Sequence, residues 1–143
     1  MSMLRALGRP LIASIFIIQG YETMRRPERV AKRAEPVVRS LAELADFLPD
    51  EPEEAVRLNG AVQFGAGMLL AAGWLPRLSA LALAGSLVPT TMAGHRYWEE
   101  EDPQLRAQQR IHFLKNLSML GGLLIAVTDN CDRPSLLPRL RHR

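Results

Sequence analysis

The hydrophobic positions of this chain fall into blocks rather than into one stripe per element. Between Leu58 and Pro76 no residue is ionisable, and after Arg77 none recurs before His95. A helix in water needs a polar face and rarely runs about 18 residues without a charge. Two such stretches, broken only by Pro76-Arg77, predict a transmembrane hairpin with helices over 56–74 and 78–94. A third apolar run, uncharged from Pro10 to Tyr21, predicts a helix over 4–24, and a fourth, charge-free only from Asn116, predicts one over 108–128. The expected fold is all-α: a single domain over 1–143 forming an integral membrane four-helix bundle. Arg5 and Arg9 precede the first run as in a signal peptide, but no small-residue cleavage site follows, so the helix is expected to be retained.

The connections carry their own patterns. In the polar loop 25–55, Val37, Val38, Leu41, Leu44, Ala45 and Leu48 recur at three- and four-residue steps, predicting an amphipathic helix bounded by Pro36 and Pro49. Such a helix either packs on the bundle or lies in the membrane interface. Gly60, Gly65, Gly67 and Gly73 stud the second helix, where small residues permit close helix approach in lipid. Pro89 falls late in the third helix and frees a backbone carbonyl that a neighbour must satisfy. Tyr97-Trp98 in the next polar segment reads as an interfacial anchor. The tail, 129–143, is basic.

Composition changes the picture in three ways. The mean hydropathy of −0.02 suits a soluble protein, but averages over segregated blocks. There are 18 Lys+Arg against 15 Asp+Glu, yet the arginines flank apolar runs and interleave with acids, which argues against nucleic acid as a partner. Counting Lys and Arg by side, the face with both termini carries seven and the face with the two long loops eleven, which favours cytoplasmic loops. Cys131 is the one cysteine, so an internal disulfide and a CxxC dithiol are excluded, and with them the paired-cysteine chemistry of vitamin K epoxide reductase. No flavin, haem or iron–sulfur motif is visible.

In an up-down-up-down bundle the polar residues of all four helices gather at the long-loop end. The candidate ligand pocket comprises Glu22, Arg57, Asn59, Gln63, Thr91, His95, Arg96, His112, Lys115 and Asn116, with Gln19, Tyr21, Thr90 and Gln109 on the same face. Polar groups in a bilayer tend to face the bundle interior or a water-filled cavity. The plainer reading is that helix ends are polar anyway, with arginines on lipid phosphates and amides as interhelical glue. Lys115 lies within the fourth apolar run and needs a partner such as Glu22. His95, His112 and Glu22 lack metal-ligand spacing, so no metal site is expected.

The chain resembles the DoxX family of small bacterial membrane proteins over roughly Gly8 to Gly122. The resemblance rests on Arg9-Pro10-Leu11, Arg57-Leu58-Asn59-Gly60-Ala61 with Gln63, Leu75-Pro76-Arg77, Val88-Pro89-Thr90-Thr91-Met92-Ala93-Gly94-His95-Arg96 and His112-Phe113-Leu114-Lys115-Asn116-Leu117. The last two are similar to actinobacterial members. The resemblance implies a four-helix bundle of the bacterial inner membrane, multi-pass, in a redox or oxidative-stress and thiol-homeostasis setting. It also implies partners resembling superoxide dismutase and a sulfurtransferase. The family offers no catalytic residues to carry over. The expected function is a subunit, accessory rather than catalytic alone, that binds a quinone or a small sulfur anion at the polar end. The alternative is a non-catalytic anchor docking soluble proteins through its two long loops. Homo-oligomerisation is compatible with either.

Overall fold

The computed structural model describes residues 3–128 and contains five α-helices there: α1 (Met3–Arg25), α2 (Glu28–Leu44), α3 (Pro52–Ala72), α4 (Pro76–Gly94) and α5 (Pro103–Thr128). A 3-10 turn at Tyr97–Glu99 joins α4 to α5. Cys131 and the basic tail lie outside the described residues. Proline opens three of the five helices, because its missing N–H costs nothing in a first turn. At α5 the Asp102 carboxylate also accepts from the backbone N–H of Gln104, at 2.7 Å, and of Leu105, at 3.2 Å.

These starts extend two helices beyond the apolar runs. The helix expected over 56–74 begins at Pro52, and the one expected over 108–128 begins at Pro103. The amphipathic helix is also longer than its expected bounds, since α2 begins after the fully buried Pro27 and runs through Pro36. Pro36 is tolerated because it is exposed, on the side opposite the buried Ala31, Ala34 and Val38. The carbonyl that its ring leaves unpaired therefore faces outward. The turn between α3 and α4 is set by Gly73 (φ 74°) and Leu75 (φ 47°), both left-handed, rather than by Pro76-Arg77, which open α4.

α1, α3, α4 and α5 share one core, in which Ala13, Phe16, Leu70, Leu83, Leu87 and Leu123 are buried. α2 caps the loop end, with Ala34 and Val38 packed with Val56 of α3. The tightest contact is between α1 and α3, and glycine makes it possible. A Cβ on Gly60 would stand 2.7 Å from the Met24 backbone nitrogen, and one on Gly20 would stand 2.6 Å from that of Phe64.

Outside, the distribution is inverted relative to a soluble bundle. Leu11, Ile18, Met68, Leu81, Leu117 and Ile125 are all exposed, spread over four helices. Among the described residues α5 alone is long and apolar enough, by length and composition, to cross a membrane. Only 11% of its most apolar stretch is buried, unlike the core helix of a soluble protein. Glycines, Asn59 and Gln63 dilute the apolar run of α3.

The glycine contact makes a prediction. Gly60→Ala must push the α1 and α3 backbones apart and is expected to cost about 1–3 kcal/mol. Gly65→Ala, whose Cβ meets nothing within 4 Å, is expected to be neutral or stabilising by up to about 1 kcal/mol. Thermal unfolding of both variants in detergent checks the contrast, and equal midpoints would contradict the packing.

Candidate functional site

The site begins with one threonine. Thr90 of α4 bonds the carbonyl of Ser86 through its hydroxyl hydrogen, at 2.9 Å, as helical threonines commonly do. Its oxygen then accepts from two α3 amides, Asn59 Nδ2 at 2.9 Å and Gln63 Nε2 at 3.0 Å. Ser86, one turn earlier, donates to Asn59 Oδ1 at 2.8 Å. A parallel link ties α4 to α5: Thr91 donates to the Leu87 carbonyl at 2.8 Å and accepts from Asn116 Nδ2 at 2.9 Å. Among the described residues every fully buried side-chain nitrogen or oxygen has a partner.

Two cavities flank this network. The larger, of about 670 Å3, lies beneath α2 and between α3 and α4. Val30, Val38 and Leu41 of α2 line it with Leu58 and Val62 of α3 and Val88 of α4, so its walls are mainly apolar. Its polar groups converge at Asn59, Gln63, Ser86, Thr90 and His95, and Arg33 of α2 lines it as well. Gly85 and Pro89 belong to the same wall. Pro89 has no N–H to offer the Gly85 carbonyl, which leaves a backbone acceptor beside the cavity.

The smaller cavity, of about 140 Å3, is a chamber between α1, α3, α4 and α5 that opens outward where Gln19 and His112 are exposed. Its polar lining is Gln19, Gln63, Thr90, His95, His112, Lys115 and Asn116. Gln19, Gln63, Thr90 and His95 border both spaces and form the partition between them.

His95 follows the last turn of α4. Its Nδ1 lies 2.7 Å from Gln109 Oε1, so the ring donates there and its Nε2 is left as an acceptor in the neutral form. The ring stacks on His112, with centroids 5.1 Å apart and planes 23° from parallel. Burial lowers the His95 pKa below the ordinary 6.5, and the nearby charges of His112, Lys115 and Arg33 lower it further, against the opposing hydrogen bond to Gln109.

Seven of the ten candidate residues meet here. Asn59, Gln63, His95, His112, Lys115 and Asn116 line a cavity, and Thr91 holds Asn116 in place. Glu22 and Arg57 are exposed and line neither space. Arg96 turns away to Glu99 at 3.1 Å. Lys115 is half-buried and lines the smaller cavity, and among the described residues Glu22 is not its ion-pair partner. Ser86 was missed, because an isolated serine in an apolar run carries no signal of its own. The groove was missed because α2 was expected to begin only after Pro36, whereas Val30 and Arg33 precede it. Among the described residues no group of three or more His, Cys, Asp or Glu gathers as metal ligands would.

Buried polar knots inside an all-α bundle, with leucines and isoleucines turned outward and one membrane-type helix, describe a membrane-associated protein class. The chain belongs to the DoxX family, whose model matches residues 4–96. The match covers α1 to α4 and ends just past His95, so the α5 wall of the chamber lies beyond it. No curated protein and no solved structure matches the chain.

Two outcomes are expected. Thr90→Val leaves Asn59 and Gln63 without their acceptor and is expected to cost about 1–3 kcal/mol, while Thr90→Ser retains most stability. Denaturation midpoints check this, and a neutral Thr90→Val would contradict it. The folded His95 binds its proton more weakly than the unfolded chain does. Its contribution to stability is complete above pH 6.5 and is lost as pH falls through its lower folded-state value. His95→Gln, which keeps an amide beside Gln109, is expected to shrink the stability drop between about pH 7.5 and 5. A pH titration of unfolding in both proteins tests the sign.

Proposed function

We propose that this protein is a multi-pass protein of the bacterial inner membrane that binds a quinone in the groove beneath α2, as an accessory subunit of a redox or oxidative-stress system. In this reading α1, α3, α4 and α5 cross the bilayer and α2 lies over their polar end. The support for spanning helices is the large apolar side chains exposed on all four, a kind of surface that soluble monomers keep small.

The observation that carries the ligand reading is the groove itself. Its volume of about 670 Å3 falls in the range of small-molecule sites, about 300–1,000 Å3. Its apolar length and single polar end suit a molecule with a polar ring and a hydrocarbon tail. The residues fit such a group: the Asn59 and Gln63 amides each keep one N–H beyond the bond to Thr90 to donate to carbonyl oxygens, and His95 exchanges a proton with them. A quinone, when bound, supplies the electron chemistry. The side chains of this chain hold the ring, exclude water and handle protons. A small sulfur anion, the other candidate ligand, leaves the apolar walls unexplained. A passive anchor would need no such cavity, although the exposed polar face of α2 and the Tyr97–Glu99 segment offer docking surface for soluble partners of the superoxide dismutase and sulfurtransferase type.

Protein purified from its native membranes in mild detergent is expected to release a quinone on solvent extraction. Gly85→Phe, which adds a ring where a Cβ meets nothing within 4 Å, is expected to abolish that release without loss of folded protein. Equal quinone from both proteins, or none from the wild type, contradicts the proposal.

A further inference from the structure

The walls of the groove are also part of the outer surface of the bundle. On α4 the wall residues Gly85 and Val88 lie in one exposed stripe with Leu81 and Met92, at helical spacing. On α3 Leu58 and Val62 line the groove and are exposed as well. Val62 keeps 38% and Val88 50% of its surface open, so the space is not sealed between the two helices. It opens sideways at Val62, Gly85 and Val88, near the middle of α3 and α4. From Leu58 to Pro76 and from Leu78 to Gly94 no side chain is ionisable. Once these helices span a bilayer, the opening lies at the depth of its hydrocarbon. The loop end is built differently. There α2 roofs the groove, with Ala34 and Val38 buried and packed with Val56. The two ionisable residues of the wall, Arg33 and His95, stand at that end.

We infer that the groove is loaded sideways from the bilayer, through the gap between α3 and α4, by a long-tailed amphiphile whose tail stays in the lipid after its head has docked. The inference rests on the reading of the groove as a quinone site between spanning helices, and adds the route and the requirement for a tail. Polarity along the groove runs as it does along a lipid leaflet. Ionisable groups stand at the loop end, amides and hydroxyls come next, and hydrocarbon lies toward the middle of the span. A molecule dissolved in that leaflet keeps its depth and orientation on entry. Its head passes Leu58 and Val88, nearer the loop end, toward Asn59, Gln63 and His95, while its tail trails past Val62 and Gly85. No polar group has to cross the bilayer core. α2 need not move, so it serves as a roof rather than a lid. Lipid tails are as apolar as the groove, so burying the tail contributes little affinity by itself. What the tail supplies is residence in the membrane, which holds the head beside the opening. A ring without a tail lacks that advantage and reaches the polar end from water, past Arg33.

The test places nitroxide labels on the full chain in phosphatidylcholine vesicles. Each label is read by its collisions with oxygen, which concentrates in hydrocarbon, and with a water-soluble nickel chelate. On a Cys131→Ser background, Val62→Cys and Val88→Cys label the opening, Met68→Cys and Leu81→Cys the outer surface, and Ser40→Cys the exposed side of α2. The first four labels are expected to meet oxygen and not the chelate, and the label at Ser40 the reverse. A long-tailed quinone added to the vesicles is expected to remove most oxygen collisions at Val62 and Val88 and none at Met68. The same ring carrying a methyl group in place of the tail is expected to leave Val62 unchanged. Solvent extraction of each labelled sample reports whether it holds quinone. Expulsion of quinone by the Val62 label, but not by the Met68 label, also supports the route. Chelate contact at Val62 and Val88, with Met68 and Leu81 in lipid, overturns the inference and leaves the spanning helices intact. Chelate contact at all four overturns both. Quinone held with oxygen collisions at Val62 unchanged, or an equal loss there from the tailless ring, overturns the route alone. If no sample holds quinone, the groove reading and the inference fall together.

Discussion

The Thr90 hydroxyl organises the functional end of this bundle. A hydroxyl has one hydrogen and room to accept two, and here all three places are used: the hydrogen on the Ser86 carbonyl, the lone pairs on Asn59 and Gln63. That arrangement fixes the register of α3 against α4, since a slip of one residue on either helix would strand two amides in a setting where unpaired polar groups are costly. It also makes a wall. Asn59 and Ser86 look into the groove under α2, while Gln63 and Thr90 belong to both the groove and the smaller chamber. The two cavities exist as separate spaces because this knot stands between them.

The remainder of the bundle serves the same end by contrast. Beside the cavities Gly20 and Gly60 bring α1 and α3 to backbone contact, and further in leucine and phenylalanine fill the centre. Large apolar side chains point outward instead. In water this arrangement would be unstable, and in lipid it is the natural one, because packing of small residues replaces the hydrophobic effect as the force between helices. Backbone contact between α1 and α3 right beside the cavities means that the space near α2 is a local feature rather than general looseness.

Much of this was legible in the residues. Charge-free runs announce four apolar helices, since nothing but a helix satisfies its own backbone across so long an apolar stretch. The gathering of Asn59, Gln63, His95, His112, Lys115 and Asn116 followed from topology alone. Helical phase decided the rest, and phase is where the reading lost accuracy. Arg57 is one residue from the buried Val56 yet exposed, because 100° of rotation carries it off the inner face. Arg96 comes after α4 has ended, and the chain there turns toward Glu99. The starts of α3 and α5 were written in Glu51-Pro52 and Asp102-Pro103, pairs that place a proline in a first helical turn. They were obscured by the charges around them, which suggested loop. The extent of α2 needed three dimensions, because a proline at its centre is acceptable only on the face turned away from the bundle.

The central claim is that the polar end of the bundle is a site rather than a set of structural contacts, and the groove under α2 tests it most directly. An experimental structure of the protein extracted from native membranes into lipid nanodiscs would show which is true. The account predicts an elongated density in the groove, its compact end within hydrogen-bonding distance of the Asn59, Gln63 and His95 side chains and its tail along Val38 and Leu41. A groove closed by α2, with Val38 and Leu41 packed directly on Val62 and Val88 and no density between them, would contradict it.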